Sequence, residues 1–528
     1  MSGSIALLFA LSTPADAQCI PDGTIVQCLP NGNMRVEFDA GYIGADTHYY
    51  WFLDGPLEAF NAGQITSPAD ALELEGLSVT YLGAAGGFLS GDTALRIDAF
   101  DGVARAEIAH DIESAFGIRM SVNGGLAPHV AIELTGGTID ASIVGIWLEN
   151  NTTSVADIVI GPAARIISPS ALEVLTGASH VVLAGTIAEH PEVEGQASVL
   201  SDSNDILELH PGYHLDGTID SRGGANELRL GGAGTDTFNL GQVNLIDDQG
   251  VGFLNFSSFT KTGSSTWTLQ GTMAGAPGMD IQSGTVSLDD ALLDGTVTIR
   301  DSARLGGIGT LGALEVLGGA TLAPGHLSAG TLVAENVLFQ SGSILEIGVG
   351  ATTHGRLEAD NITIEGGTLR VRPSSAAAGS YALVHGNITG AFNTVVSQSD
   401  RYVARLDSTN IDPTKLVIDL QRTGVTFASY AKTPEQAAVA ALLDAMGEAA
   451  PYYAQLDGMD ADAAADLMGQ MAGSGFAATN SALLQQSGAL TGASLGRIQQ
   501  QAGTLGPTAG PLGYAAFSTG GWYDGLQP

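Results

Sequence analysis

The chain has 528 residues, of which 56 are Asp or Glu and 19 are Lys or Arg, giving a formal net charge of −37. Such a field repels phosphate backbones and anionic headgroups, which excludes nucleic acid as a partner. A hydrophobic content of 44% supplies a core, while 72 glycines and only 14% charged residues fit neither a helical bundle nor a disordered tail.

The first stretch, SIALLFALSTPADAQC, is a short apolar run broken at Pro14, with Ala15-Asp16-Ala17 ahead of Gln18. It predicts a secretory signal peptide over residues 1–17, cleaved after Ala17. No later segment approaches 18 uncharged apolar residues, so no membrane-crossing helix is expected. The two cysteines, Cys19 and Cys28, follow in a Pro- and Gly-containing loop, where an oxidising compartment would let them pair as a disulfide. Residues 18–130 are read as an N-terminal cap and first coils.

From about residue 130 a loose phrase recurs: VVLAGTI (181–187), LELHPGYHLDGTI (207–219), VSLDDALLDGTVTI (286–299), LEVLGGATLAPG (314–325) and ITIEGGTLRV (362–371). Alternation at period two, punctuated by glycine, predicts short strands, and repetition without a strict length predicts stacked coils. A lone coil buries too little apolar surface to offset the ordering of its backbone, so neighbours must share buried faces and hydrogen bonds. The expected fold is all-β, a right-handed parallel β-helix over residues 131–425. Within it, LNFSSFTKTGSSTWTL (254–269) reads as strand-turn-strand, with Lys261 on the turn and Trp267 filling a corner of a coil.

Composition changes after about residue 425. TPEQAAVAALLDAMGEAAP places Thr433 as N-cap, Pro434 at the first helical position and Gln436 in a capping box, and runs at helical spacing to Gly447. DADAAADLMGQMAG (460–473) and the stretch from Phe476 to about Gln501 continue likewise. A small α-helical linker region is expected over 426–503, then a Gly/Pro-rich tail over 504–528.

GGAGTDTFNLG (231–241) followed by LNFSSFTKTGSSTWTLQGT (254–272) resembles the passenger repeat of bacterial autotransporters. LGGIGTLGALEVLGGATLAPGHLSAGTL (305–332) is similar to that family's most recurrent coil, and GSILEIGV, ITIEGGTLRV, YALVHGNITGAFNTV and GVTFASYAKTPEQAAVAALLDA follow in the family's order. The resemblance spans about 223–490. It implies a β-helix exported through the periplasm to the cell surface or secreted, and serving adhesion or interaction with another cell. The implied partners are an outer-membrane barrel with its assembly machinery during export, and a surface molecule of a host or neighbouring cell. The alternative on the same scaffold is a polysaccharide- or glycan-degrading enzyme. A barrel needs about a dozen strands of ~9–11 residues, and 28 residues follow Gln500. A passenger and linker is therefore expected, its barrel lost, separately encoded or outside this sequence.

Gly231 to Phe238 satisfies a calcium-binding nonapeptide pattern, making Asp236 a calcium candidate, although the preceding GGANELRL offers no second half-site. Calcium is the one cofactor considered. Gly307, Gly309 and Gly312 spell the dinucleotide fingerprint but lead into a strand. Gly492-Ala493-Ser494-Leu495-Gly496 spells a nucleophile elbow within the helical linker, with no strand before it. His210 and His214 flank Pro211-Gly212 and read as exposed turn histidines. Asp98, Asp101, Arg105 and Glu107 offer the carboxylate-plus-base set that a groove enzyme would use, yet no residue is assigned as catalytic.

Overall fold

Buried and outward positions alternate along most strands; Met34–Phe38 and Glu227–Leu230 bury every second residue. The computed structural model describes residues 25–473 except 29–33, 41, 46–47, 125–127, 151–154, 176, 189, 191–197, 246–249, 274–276, 326–328, 351, 375–377 and 408–411. Cys28 ends the strand Ile25–Cys28, whereas Cys19, the expected signal peptide and everything from Ser474 onward lie outside the described residues. The chain divides into two compact units at Gly424/Val425.

The first unit is a parallel β-solenoid of about 14 turns. Its spine is one unbroken line of registered residues. Val36 pairs Ala59, then Tyr81, Ala106, Ile132, Ile158 and Val181 follow. Leu207, Leu228, Phe259, Met279, Val297, Leu314, Val337, Ile362 and Ile388 complete it. From Val36 to Ile362 every member is buried, so the line is the core itself. Coils range from 17 residues, Val297 to Leu314, to 31, Leu228 to Phe259. The surplus leaves at corners without breaking register, because parallel stacking constrains the strands and not the connections.

Both ends depart from the parallel pattern. Ile25–Cys28 lies antiparallel on Met34–Phe38. At the other end Lys415–Arg422 runs antiparallel to Gly379–Gly390 and to Tyr402–Leu406.

Corners place polar groups inside, and Asp205 and Asn226 show how such groups are bonded. Asp205, fully buried, accepts from Ser179 N at 2.7 Å and Ser179 Oγ at 2.8 Å, and its own N donates to Asn226 Oδ1 at 2.9 Å. Asn226 Nδ2 in turn donates to the carbonyls of Ser221, Gly223 and Asn255 at 2.8–3.0 Å. On the outside, Asn336, Asn361 and Asn387 form a ladder of amide bonds at 3.0 and 3.3 Å.

Trp267 and Lys261 follow the same logic. Trp267 is 0% exposed and donates Nε1–H to Gly231 O at 3.2 Å. Lys261 does not stand on a turn as expected: it closes the strand Ser258–Lys261, and its side chain is 0% exposed. The reason is the run of inward carbonyls that the corner creates, and the ammonium satisfies those of Thr262, Gly263 and Ser283. Gly284, at φ +73°, makes room for it, since a Cβ there would lie 2.6 Å from Nζ.

The second unit holds α1 (Pro434–Met446), α2 (Tyr453–Asp457) and α3 (Ala461–Met471) around Phe427, Tyr430, Leu443, Leu456 and Met468. Thr433 and Gln436 form the capping box, and Asp460 caps α3 through Ala463 N at 2.8 Å. Asp444 accepts from Phe427 N and Ala428 N, both at 3.0 Å, tying α1 to the turn before it. Among the described residues no helix is long and apolar enough to cross a membrane.

Trp267→Ala should destabilise the solenoid by about 3–5 kcal/mol, read by chemical denaturation. Burial pulls the Lys261 ammonium down to about 8, against roughly 10.4 in the unfolded chain. Between those values the unfolded chain holds a proton that the folded chain has released, so stability rises with pH. The Tm of the wild type minus that of Lys261→Met should therefore increase from pH 8 to pH 10.5; a constant difference would refute the lowered pKa.

Candidate functional site

Six strands, His48–Asn61, Leu72–Gly83, Phe88–Ala99, Asp111–Val122, Gly137–Asn150 and Ser170–Val174, stack on one side of the solenoid. Leu72, Leu95, Ile118, Ile146 and Leu172 form a buried column along them. Because side chains alternate, the next position of each strand faces outward. The outward column is Tyr49, Glu73, Arg96, Arg119, Trp147 and Glu173, one residue per coil at ~4.8 Å spacing. Two residues further along each strand stand Glu75, Asp98, Ser121 and Glu149.

These side chains are bonded to one another. Arg96 Nε donates to Asp98 Oδ2 at 2.9 Å, and Ser121 Oγ donates to the other oxygen of Asp98. Arg119 reaches Glu149 Oε2 at 3.0 Å and lies over the Trp147 ring, 4.8 Å from its centroid. Phe116 packs beside Trp147 with ring centroids 5.3 Å apart. Trp147 is half-buried, and among the described residues its enclosed Nε1–H has no acceptor.

Glu73 is the perturbed carboxyl of the group. Partial burial, then a hydrogen bond to Asp70 and that group's charge, outweigh Arg96 and push it up to about 7. Asp70 is held in place by Thr93 N, at 3.1 Å from its Oδ1. Burial and a bond to Glu75 push the Tyr49 hydroxyl upward too. A carboxyl titrating near neutrality can hold or give a proton at working pH.

Earlier positions on three of these strands belong to a different ladder and line a cleft of about 440 Å³ with Ser90, Glu113, Ser114, Asp140, Ser142 and His190. Ser90, Glu113 and Asp140 are in register, and His190 Nε2 lies 3.7 Å from Asp140 Oδ1. Aromatic faces, hydroxyls, carboxylates and guanidiniums in one stripe suit a ligand that is apolar on its faces and hydroxylated at its edges.

The set Asp98, Asp101, Arg105 and Glu107 is not brought together. The chain turns a corner after Ala99, so Asp98 stays in this stripe while Arg105 and Glu107 lie on another strand, Val103–Ile108, registered with Thr80 and Leu82. There Arg105 pairs with Glu107 at 3.5 Å and Glu133 at 3.7 Å, and the Asp101 carbonyl accepts from Ser78 in the turn.

Asp236 uses one carboxylate oxygen for Gly212 N and the other for Thr237 N, both at 2.7 Å. Among the described residues no three His, Cys, Asp or Glu side chains converge as a metal site. His210 bonds Glu208 at 2.8 Å and His214 bonds Asp216 at 3.2 Å, so the two do not share a site. Gly307 lies inside the strand Arg304–Val316, where a Cβ would meet Leu288 O at 2.1 Å; close coil packing is what its glycine serves. The residues 492–496 lie outside the described residues.

A second outward run crosses successive coils on another side: His129 bonds Asp157 at 2.7 Å, His180 lies between Asp157 and Glu208, and Arg229 reaches Glu208 at 3.2 Å. His180 and His210 together hold the Glu208 carboxyl far below the usual range.

Sequence reading missed Tyr49, Glu73, Arg96, Arg119 and Trp147 as a group, because they recur 23 to 28 residues apart and only register unites them. The signal that would have found them is recurrence of outward polar residues at the coil length.

Glu73 supplies a test. In the folded chain it keeps its proton up to about pH 7, whereas an unfolded glutamate releases it near pH 4.3. Its contribution to stability is therefore full below that lower value and lost as pH rises through 7. The Tm of the wild type minus that of Glu73→Gln should fall between pH 4.5 and pH 7.5, and an unchanged difference would contradict the shift. No protein-family model matches this chain, and no curated protein matches it in sequence.

Proposed function

We propose that this protein is an exported autotransporter-type passenger whose β-solenoid binds a glycan on another cell's surface through the outward stripe of Tyr49, Glu73, Arg96, Arg119 and Trp147. The observation that carries this reading is the alignment, on successive coils, of an aromatic pair with hydroxyl, carboxyl and guanidinium groups. An oligosaccharide is a repeating ligand, and a repeating scaffold meets it unit by unit. The Trp147 and Phe116 rings would take the apolar face of a sugar, and Arg96, Asp98 and Ser121 its hydroxyls. Export through the periplasm, assisted by an outer-membrane barrel and its assembly machinery, rests on the passenger-like repeats from residue 223 onward. A calcium ion at Asp236 belongs to the same reading, as a brace between coils.

One observation favours a second reading. Glu73, poised near pH 7 beside Asp70, has the protonation behaviour of a general acid, as hydrolysis of a glycosidic bond requires.

The full chain should be screened against immobilised glycans, and the best binder titrated calorimetrically. Trp147→Ala and Arg96→Ala should each weaken binding by about tenfold or more, with far-UV circular dichroism unchanged. Affinity indifferent to both substitutions removes the adhesive reading. Release of reducing ends from the bound glycan, lost in Glu73→Gln, would replace it with the hydrolytic one.

A further inference from the structure

Several arginines in this acidic chain are matched with carboxylates. Arg35 has Glu37, Arg96 has Asp98, Arg119 has Glu149, Arg229 has Glu227 and Glu208, Arg300 has Asp280 and Arg356 has Glu358. At Glu346 the ratio inverts. Arg304 NH2 at 2.8 Å, Arg372 NH1 at 3.0 Å and Arg370 NH1 at 3.2 Å all donate to this one carboxylate, whose side chain is 7% exposed. Among the described residues Glu346 is the one carboxylate within ion-pair distance of these three guanidiniums. Among the described residues three guanidiniums thus share one carboxylate, in a molecule of net charge −37.

The geometry leaves those charges usable. Each guanidinium carries five N–H donors and gives Glu346 a single bond, with 34%, 36% and 44% of the side chain exposed for Arg304, Arg370 and Arg372. Beside them is a cavity of about 70 Å³, lined by Arg304, Glu346, Arg372 and backbone-rich Pro324, Gly325 and Gly348. At ~30 Å³ per water it has room for about two waters, the scale of one small anion. Glu346 itself is held ionised: burial raises its carboxyl, and Arg304, Arg372 and Arg370 together outweigh that and pull it down. It therefore acts as a fixed strut that spaces the guanidiniums, which are planar forks matched to tetrahedral oxyanions.

We propose that Arg304, Arg370 and Arg372, spaced by Glu346, form a binding site for a tetrahedral oxyanion, a sulfate or phosphate group free or in a monoester. This site lies on coils 304–374, apart from the stripe assigned to glycan binding, and does not depend on that reading.

The test uses the full chain, titrated with sodium sulfate and sodium phosphate against sodium acetate and chloride at equal ionic strength, with Tm and calorimetry as readouts. Sulfate or phosphate should raise Tm where acetate and chloride do not, and Arg372→Gln should weaken the calorimetric affinity by about tenfold or more. Glu346→Gln, which removes the competing carboxylate, should tighten it. Should Glu346→Gln not fold, Arg372→Gln, altering a half-exposed side chain, decides alone. A sulfated oligosaccharide binding more tightly than inorganic sulfate, with its unsulfated form silent, assigns the group to a polymer; equal affinities assign a free anion. No oxyanion-specific rise in Tm, or one that Arg372→Gln leaves intact, overturns the site.

Discussion

Hydrogen bonding of each coil to the next, in register and without slippage, is the constraint on which the rest depends. A one-residue slip would turn every buried residue outward and every outward one in, so the line from Val36 to Ile388 fixes both the core and the surface. Corners are where this scheme has a cost, because the backbone leaves the ladder there and its carbonyls need other partners. Asp205 with Ser179 and Asn226, and Lys261 with three carbonyls, answer that need from inside. Their burial is thus part of how the coils hold together and not an exception to an apolar core.

Charge is distributed by the same geometry. Outward columns set like positions of successive coils one above another, and opposite charges across a rung offset each other modestly. Arg105, Arg119, Arg229 and Arg300 are used in this way. Departures from matched pairing stand out against that background: Glu73, crowded by Asp70, holds a proton it would ordinarily release, and Glu346 is surrounded by more guanidiniums than it can neutralise. At Glu346 register is the cause, since it sets Arg370 directly beside it, whereas at Glu73 the crowding comes from Asp70, three residues back in the chain.

What sequence revealed and what it did not divide along this line. Period-two alternation in LEVLGGATLAPG and ITIEGGTLRV marked strands, and Thr433, Pro434 and Gln436 marked a helix start, because those signals are local. Lys261 was misplaced because a lysine beside Thr262-Gly263 has the look of a turn, and its burial depends on Ser283, one coil away. The outward stripe was illegible for a related reason. With coils between 17 and 31 residues long, no fixed interval tells which residue stands above which. Asp98 was noticed, but with sequence neighbours that a corner carries elsewhere.

The reversed strand Lys415–Arg422 has a wider meaning. A stack of identical hydrogen-bonding steps has no intrinsic reason to stop, and a bare last rung would recruit strands from other molecules into a growing fibre. Here the next rung is already taken, by a segment of opposite polarity bearing a lysine and an arginine at its two ends. On this ladder the chain thus supplies its own stop.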